Sequence, residues 1–259
     1  MSEMTDFDKL LNDINRLNEQ DQHDVYILSK GTSVPFKPLT LKQQKEILSS
    51  TTRDSPTVEF VNVIDQIIAD NCMDLEMQFY NCDRSLIVLQ LRAMAVGDTL
   101  DLYNKNGDKL TVNIPEHIEL VKKSKNSVTD LVKFTIKNEN IKIECEIPTL
   151  GLDATINNQF KTKSDKKSAE SFDKLIGDVY VYETLKYIKS ISTQQIKLDF
   201  HENTDIESQI KIVESMPVSV CNDIVKQIKR VRDVETEVLK SESLNGMLIP
   251  VDATLFTGE

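Results

Sequence analysis

Tryptophan is absent from this chain, and only 7 glycines and 3 histidines occur among its 259 residues. So small a supply of glycine, with no tryptophan at all, argues against a glycine-rich catalytic architecture. The histidines are His23, His117 and His201, and no two stand four residues apart. No H-x-x-x-H metal pair exists, therefore, and no serine lies in a G-x-S-x-G elbow. The 4 cysteines, Cys72, Cys82, Cys145 and Cys221, form no C-x-x-C pair and fall at irregular intervals beside apolar residues. Neither a disulfide framework nor a finger-type zinc site fits such spacing, so they are expected to be buried free thiols in a reducing compartment. No stretch approaches the roughly 20 apolar residues that span a bilayer. The first residues, "MSEMTDFDKLLNDINRLNEQDQHD", show no basic region followed by an apolar run. A soluble cytosolic product without membrane contact is the expectation.

What is present suffices for a real core. The chain is 39% hydrophobic and 28% charged, enough for one large domain or two small ones. Its formal charge of −11 repels nucleic acid and anionic lipid, so neither is an expected partner. The most basic stretch, "KTKSDKKSAES" at 161–171, has Asp165 among its lysines and no interleaved aromatics, which fits a loop or a solvated first turn.

Hydrophobic spacing predicts the elements. Phe7, Leu10, Leu11, Ile14 and Leu17 recur at helical intervals in an otherwise polar segment. This amphipathic helix and the linker behind it, residues 1–24, form the first region, able to dock on its own domain or on a partner. Helical stripes generally mark self-packing, which favours the former. A second region, 25–150, begins with the extended "VYILSKGTSVPFKPL", whose glycine marks a turn and whose prolines forbid helix. Thr40 and Gln43 have capping-box spacing at the start of a helix that ends near Arg53. Ser55-Pro56 opens another helix, with Phe60, Val61, Ile64, Ile67 and Ile68 as its buried face. A third runs from Asp83 through Leu86, Ile87, Leu91 and Met94 to the stop at Gly97. The period then changes to alternation. One hairpin pairs Leu100 and Leu102 with Leu110, Val112 and Ile114 about Asn106-Gly107. A second pairs Val132, Phe134 and Ile136 with Ile141, Ile143, Cys145 and Ile147 about "KNEN". The third region, 151–259, holds a helix marked by Phe172, Leu175, Ile176, Val179, Tyr182 and Ile188. Another starts near Ser215-Met216-Pro217 and carries Val220, Cys221, Ile224, Val225, Ile228 and Val231, before an apolar extended tail pinned to a surface. The expected fold is α+β, predominantly helical, with two central hairpins; one core or two stays open.

Few residues carry recognisable chemistry. In "SKGTSVPFKPLT" Lys30 precedes the glycine, and Pro35 and Pro38 remove the donors a phosphate loop would need, so this is a turn. "LYNKNGDK" matches the third, fifth and sixth positions of a calcium loop but lacks its carboxylates. Arg84 and Arg92 lie within about 80° of one another around their helix. Their planar forks fit a partner's carboxylate or phosphate, or else local acids such as Asp83, Asp98 or Asp101. A dyad of Cys82 or Cys145 with a histidine, assembled in space, remains the enzymatic alternative, and an acidic adaptor is a third.

The order of segments resembles the baseplate-hub and hub-assembly proteins of T4-like contractile-tailed phages. Their L-P-S-K/R-G element followed by P-L-T is matched by Leu28, Ser29, Lys30, Gly31, Pro38, Leu39 and Thr40, without the proline after Leu28. Their D-R-x-L…L-R is matched by Asp83, Arg84, Leu86, Leu91 and Arg92, and the likeness is clearest over 25–115. Some members carry paired cysteines in the hairpin after the arginine helix. Here "YNKNGDK" occupies that place, which argues against carrying a metal over. The resemblance implies a non-enzymatic hub component or assembly factor without cofactor, found in the host cytoplasm during assembly or in the virion baseplate. Its partners would be other hub proteins, or further copies of itself, met through Leu10, Ile14 and Leu17 and through Arg84 and Arg92.

Overall fold

The computed structural model describes residues 5–52, 56–103, 106–124, 128–137, 140–166, 172–202 and 205–257. The fold is α+β and mostly helical, and the chain divides into two compact units. The first comprises Met1–Met77, Ser85–Ser124 and Leu239–Glu259; the second comprises Gln78–Arg84 and Lys125–Val238.

The first unit opens with α1 (Asp6–Gln20), started by a full capping box between Thr5 and Asp8. β1 (His23–Ile27) and β2 (Thr32–Phe36) then form an antiparallel hairpin that buries Val25, Ile27, Val34 and Phe36. Its turn places Gly31 at φ +66°, a left-handed conformation that costs glycine nothing. "LSKG", residues 28–31, is a hairpin turn.

α2 (Leu41–Ser50) begins on the expected box: the Thr40 hydroxyl accepts the Gln43 N–H at 3.2 Å, and the Gln43 amide oxygen accepts the Thr40 N–H at 2.9 Å. α3 (Pro56–Asn71) has proline in its first turn and buries Phe60, Ile64, Ile67 and Ile68. Its last residue, the buried Asn71, accepts from the Gln43 side chain at 2.6 Å and donates to the Lys37 and Pro38 carbonyls, both at 3.2 Å. One side chain thus ties the end of α3 to the exit of β2 and the start of α2.

α4 (Arg84–Val96), whose first residue counts with the second unit, buries every residue from Leu86 to Arg92 and stops at Gly97, φ +125°. β3 (Thr99–Tyr103) and β4 (Lys109–Asn113) pair with Leu100 opposite Val112 and Leu102 opposite Leu110, and Gly107 in the turn has φ +85°. Ile114, expected to continue the strand, instead begins α5 (Ile114–Lys123). Asn113 caps that helix by accepting the Glu116 N–H at 3.0 Å, and Pro115 sits in its first turn.

In the second unit β5 (Lys133–Lys137) and β6 (Lys142–Glu146) form the expected hairpin. α6 (Leu150–Lys166) follows. Residues 161–166, expected as a loop or first turn, are the last turns of this helix, while 167–171 lie outside the described residues. α7 (Phe172–Tyr187) stops one residue short of Ile188, which opens β7 (Ile188–Ser192) and leads to β8 (Lys197–Asp199). The four strands form one antiparallel meander in the order β5-β6-β7-β8. α8 (Ile206–Glu214) and α9 (Val218–Leu239) complete the unit, α9 burying Val220, Cys221, Ile224, Ile228 and Val231.

The chain then returns to the first unit through the short pair β9 (Lys240–Ser241) and β10 (Met247–Leu248). The tail goes deeper than pinning to a surface requires. Phe256 is fully buried, and its carbonyl accepts from the Gln44 side chain at 3.1 Å.

Candidate interaction surface

The apolar stripe of α1 faces outward. Phe7 is 71% exposed, Leu10 60%, Leu11 46%, Ile14 46% and Leu17 65%. Its periodicity favoured docking on its own domain, but among the described residues the stripe is left exposed. The tie described between α1 and the hairpin is polar, Glu19 to Lys37 at 3.9 Å. A lone helix of about 12–15 residues is marginal in water, and most helical stability in proteins comes from packing an apolar face. Contiguous exposed apolar surface on a folded chain marks an interaction site. The flanks of the stripe carry Asp6, Asp8, Asp13 and Glu19 against Lys9 and Arg16.

The two arginines have intramolecular partners. Arg84 meets Asp153 at 3.0 Å, with side chains only 15% and 6% exposed, and Lys186 meets the other oxygen of Asp153 at 3.0 Å. Lys186 also donates to Asn157 at 2.7 Å and pairs with Glu183, which Arg232 joins from α9. Burial alone would push the Asp153 carboxyl up. The Lys186 and Arg84 charges overcome it and hold the group below its ordinary range. Arg92 is buried and donates to the Leu255 carbonyl at 3.3 Å and to that of Gly97. It fastens the helix stop and the tail inside the first unit. The acid described against Arg84 lies 69 residues away, and Arg92 bonds to carbonyls while the expected local acids Asp101 and Asp98 act on it through space. Both forks are thus engaged within the fold, as charged groups removed from water must be.

Other polar groups converge without any signal in the sequence. Glu146 on β6 accepts from the Tyr80 hydroxyl at 2.8 Å and pairs with Lys189 at 2.7 Å and Lys133 at 3.5 Å. These partners come from three segments far apart in the chain. Glu235 on α9 is pushed by burial up to about 7, against the pull of the Arg232 and Arg84 charges. All four cysteines are free and buried, and burial raises each thiol, that of Cys145 to about 12. Such thiols stay protonated at neutral pH, which is the inert condition. Among the described residues no group of three or more His, Cys, Asp or Glu side chains is gathered as a metal site requires, and no helix is long and apolar enough to cross a membrane.

A family model described as T4 bacteriophage base plate protein matches residues 22–241. The chain belongs to that family. The match runs well past 25–115, where the short motifs lie, and spans segments of both units. Membership makes it a structural protein of the phage baseplate, and the family implies contact with other baseplate proteins. No curated protein and no solved structure matches it. The helix α1 precedes the matched span.

Proposed function

We propose that this baseplate protein is a non-enzymatic component or assembly factor of the baseplate hub, joined to its neighbours by protein–protein contacts through α1. The observation that carries the reading is the apolar stripe of Phe7, Leu10, Leu11, Ile14 and Leu17, open along its length. An amphipathic helix with anchors at such spacing docks into an apolar groove of another subunit. The buried, protonated thiols support a role without covalent chemistry. Assembly of this kind takes place in the host cytoplasm, with hub proteins or further copies of the chain as the neighbours.

The test is the double substitution Leu10→Asp and Ile14→Asp in infecting phage. The expected result is loss of the protein from hub intermediates, quantified by mass spectrometry, with an unchanged thermal transition of the isolated chain. Normal incorporation of the variant would refute the reading. A lowered transition would show that the stripe is part of the chain's own core. Stoichiometric presence of the wild type in purified virions would make it a hub component, and presence in intermediates alone an assembly factor.

A further inference from the structure

The β1–β2 hairpin of the first unit has an outer edge along β1, and a side chain fills only part of it. In the ladder Asp24 faces Pro35 and Tyr26 faces Ser33. Proline has no N–H to give, and the Pro35 carbonyl accepts the Met73 N–H at 3.0 Å, on the side away from β1. Asp24 and Pro35 are therefore a non-hydrogen-bonded pair whose peptide groups point out of the hairpin. Tyr26, two residues on, has the same outward sense. There the buried Gln90 stands in for a third strand. Its amide oxygen accepts the Tyr26 N–H at 2.7 Å, and its amide nitrogen donates to the Tyr26 carbonyl at 3.0 Å. Asp24 comes next along that edge, and no strand of the described residues pairs beside it.

Asp24 and Gln90 line a cleft of about 430 Å³, within the roughly 300–1,000 Å³ of ligand sites. Ala93, Met94 and Ile118 supply apolar lining, and Asp98 and Glu119 add carboxylates. Glu119 is engaged by Lys122 at 2.7 Å, and Lys122 lies over the Tyr26 ring at 5.8 Å. Asp24 and Asp98 are exposed and make no side-chain hydrogen bond or ion pair among the described residues. Asp98 acts on Arg92 only through space.

We propose that this cleft receives an extended segment of a partner chain, which lies along the Asp24 edge of β1 and carries an arginine or lysine onto the Asp24 and Asp98 carboxylates. The free edge supplies main-chain hydrogen bonds, as in strand addition. The apolar lining takes the aliphatic stem of the cationic side chain and the acids take its head. A second copy of this chain is disfavoured as the occupant, because a formal charge of −11 on each copy opposes the approach.

The probe is a fluorescein-labelled pentapeptide of alternating valine and threonine with arginine at its centre, titrated against the full chain by fluorescence anisotropy. Saturable binding is expected, weakened at least tenfold in the double variant Asp24→Lys, Asp98→Lys and lost when glutamate replaces the central arginine. Both acids are exposed and unpaired, so the variant keeps the wild-type unfolding midpoint; should it not, Asp24→Asn with Asp98→Asn takes its place. Absence of saturable binding up to millimolar protein, equal binding by the glutamate peptide, or equal binding by the folded double variant would each overturn the proposal. The Leu10→Asp, Ile14→Asp variant binds the probe like wild type, which separates this cleft from the α1 surface.

Discussion

Arg84→Met asks whether this arginine fastens the second unit or serves as a handle for a partner. The variant keeps much of the aliphatic volume and deletes one of two cations around Asp153, whose side chain is 6% exposed. Breaking a buried ion pair by removing one member costs about 3–5 kcal/mol. Lys186 remains on the other carboxylate oxygen at 3.0 Å, so the low end applies, about 3 kcal/mol. For a chain of this size that lowers Tm by about 6–12 °C. With no tryptophan to report on packing, far-UV circular dichroism during urea and thermal unfolding is the assay. A cycle with Asp153→Asn isolates the pair, and a coupling of at least about 1 kcal/mol is expected for groups in contact. The effect also depends on pH in a defined direction. The Asp153 carboxyl is held below its ordinary 3.8 in the folded chain, so its stabilisation is complete above the unfolded value and is lost as pH falls through the folded one. The difference between wild type and Arg84→Met should therefore shrink in acid below about pH 4. A change within about 0.5 kcal/mol at pH 7, the range of an ordinary surface substitution, would refute the fastener and return Arg84 to the list of partner contacts.

Glu235 carries the opposite sign. Its folded value of about 7 lies above the ordinary 4.5, so folding favours the protonated form and wild-type stability declines as pH rises from about 4.5 to about 7. Glu235→Gln should be neutral near pH 4.5 and stabilising by about 1–3 kcal/mol at pH 8, read from denaturation midpoints at the two pH values; an equal effect at both would show that charge is not the cause. The four cysteines should resist Ellman's reagent in the native chain and react fully in guanidinium, since all are buried and raised. Rapid native modification of Cys82 or Cys145 would reopen a thiol enzyme.

The elements legible in the sequence are those fixed by neighbours a few residues apart. Thr40 and Gln43 cap α2 because the box is closed within one turn. Gly31, Gly97 and Gly107 mark their turns because glycine takes up positive φ without steric cost. The common face of β3 and β4 follows from alternation, though the observed register, with Leu102 opposite Leu110, leaves five residues between the strands where a tight turn on Asn106-Gly107 would leave two; the buried faces of α3 and α9 follow from the helical period. The same local signals missed α5, although Asn113 and Pro115 announce it, because the apolar Ile114 also continues the alternation of β4. β7 was hidden in a similar way, Ile188 serving equally as the end of a helical stripe and the start of a strand. Periodicity names a face; it does not say what covers it. The α1 stripe reads the same whether it packs at home or on a partner, and only the exposure of Leu10, Ile14 and Leu17 distinguishes the two.

What the sequence determined by itself, then, was the class of fold, the family motifs, the buried free thiols and the local capping and turn chemistry. The tertiary structure alone decided where the charges go. Arg84 finds Asp153, Arg92 finds the Leu255 carbonyl, and Gln90 covers the backbone of Tyr26, across separations of 69, 163 and 64 residues. A buried polar group must be paired with whatever the fold brings to it. No spacing along the chain encodes that choice, because it is made only when distant segments meet.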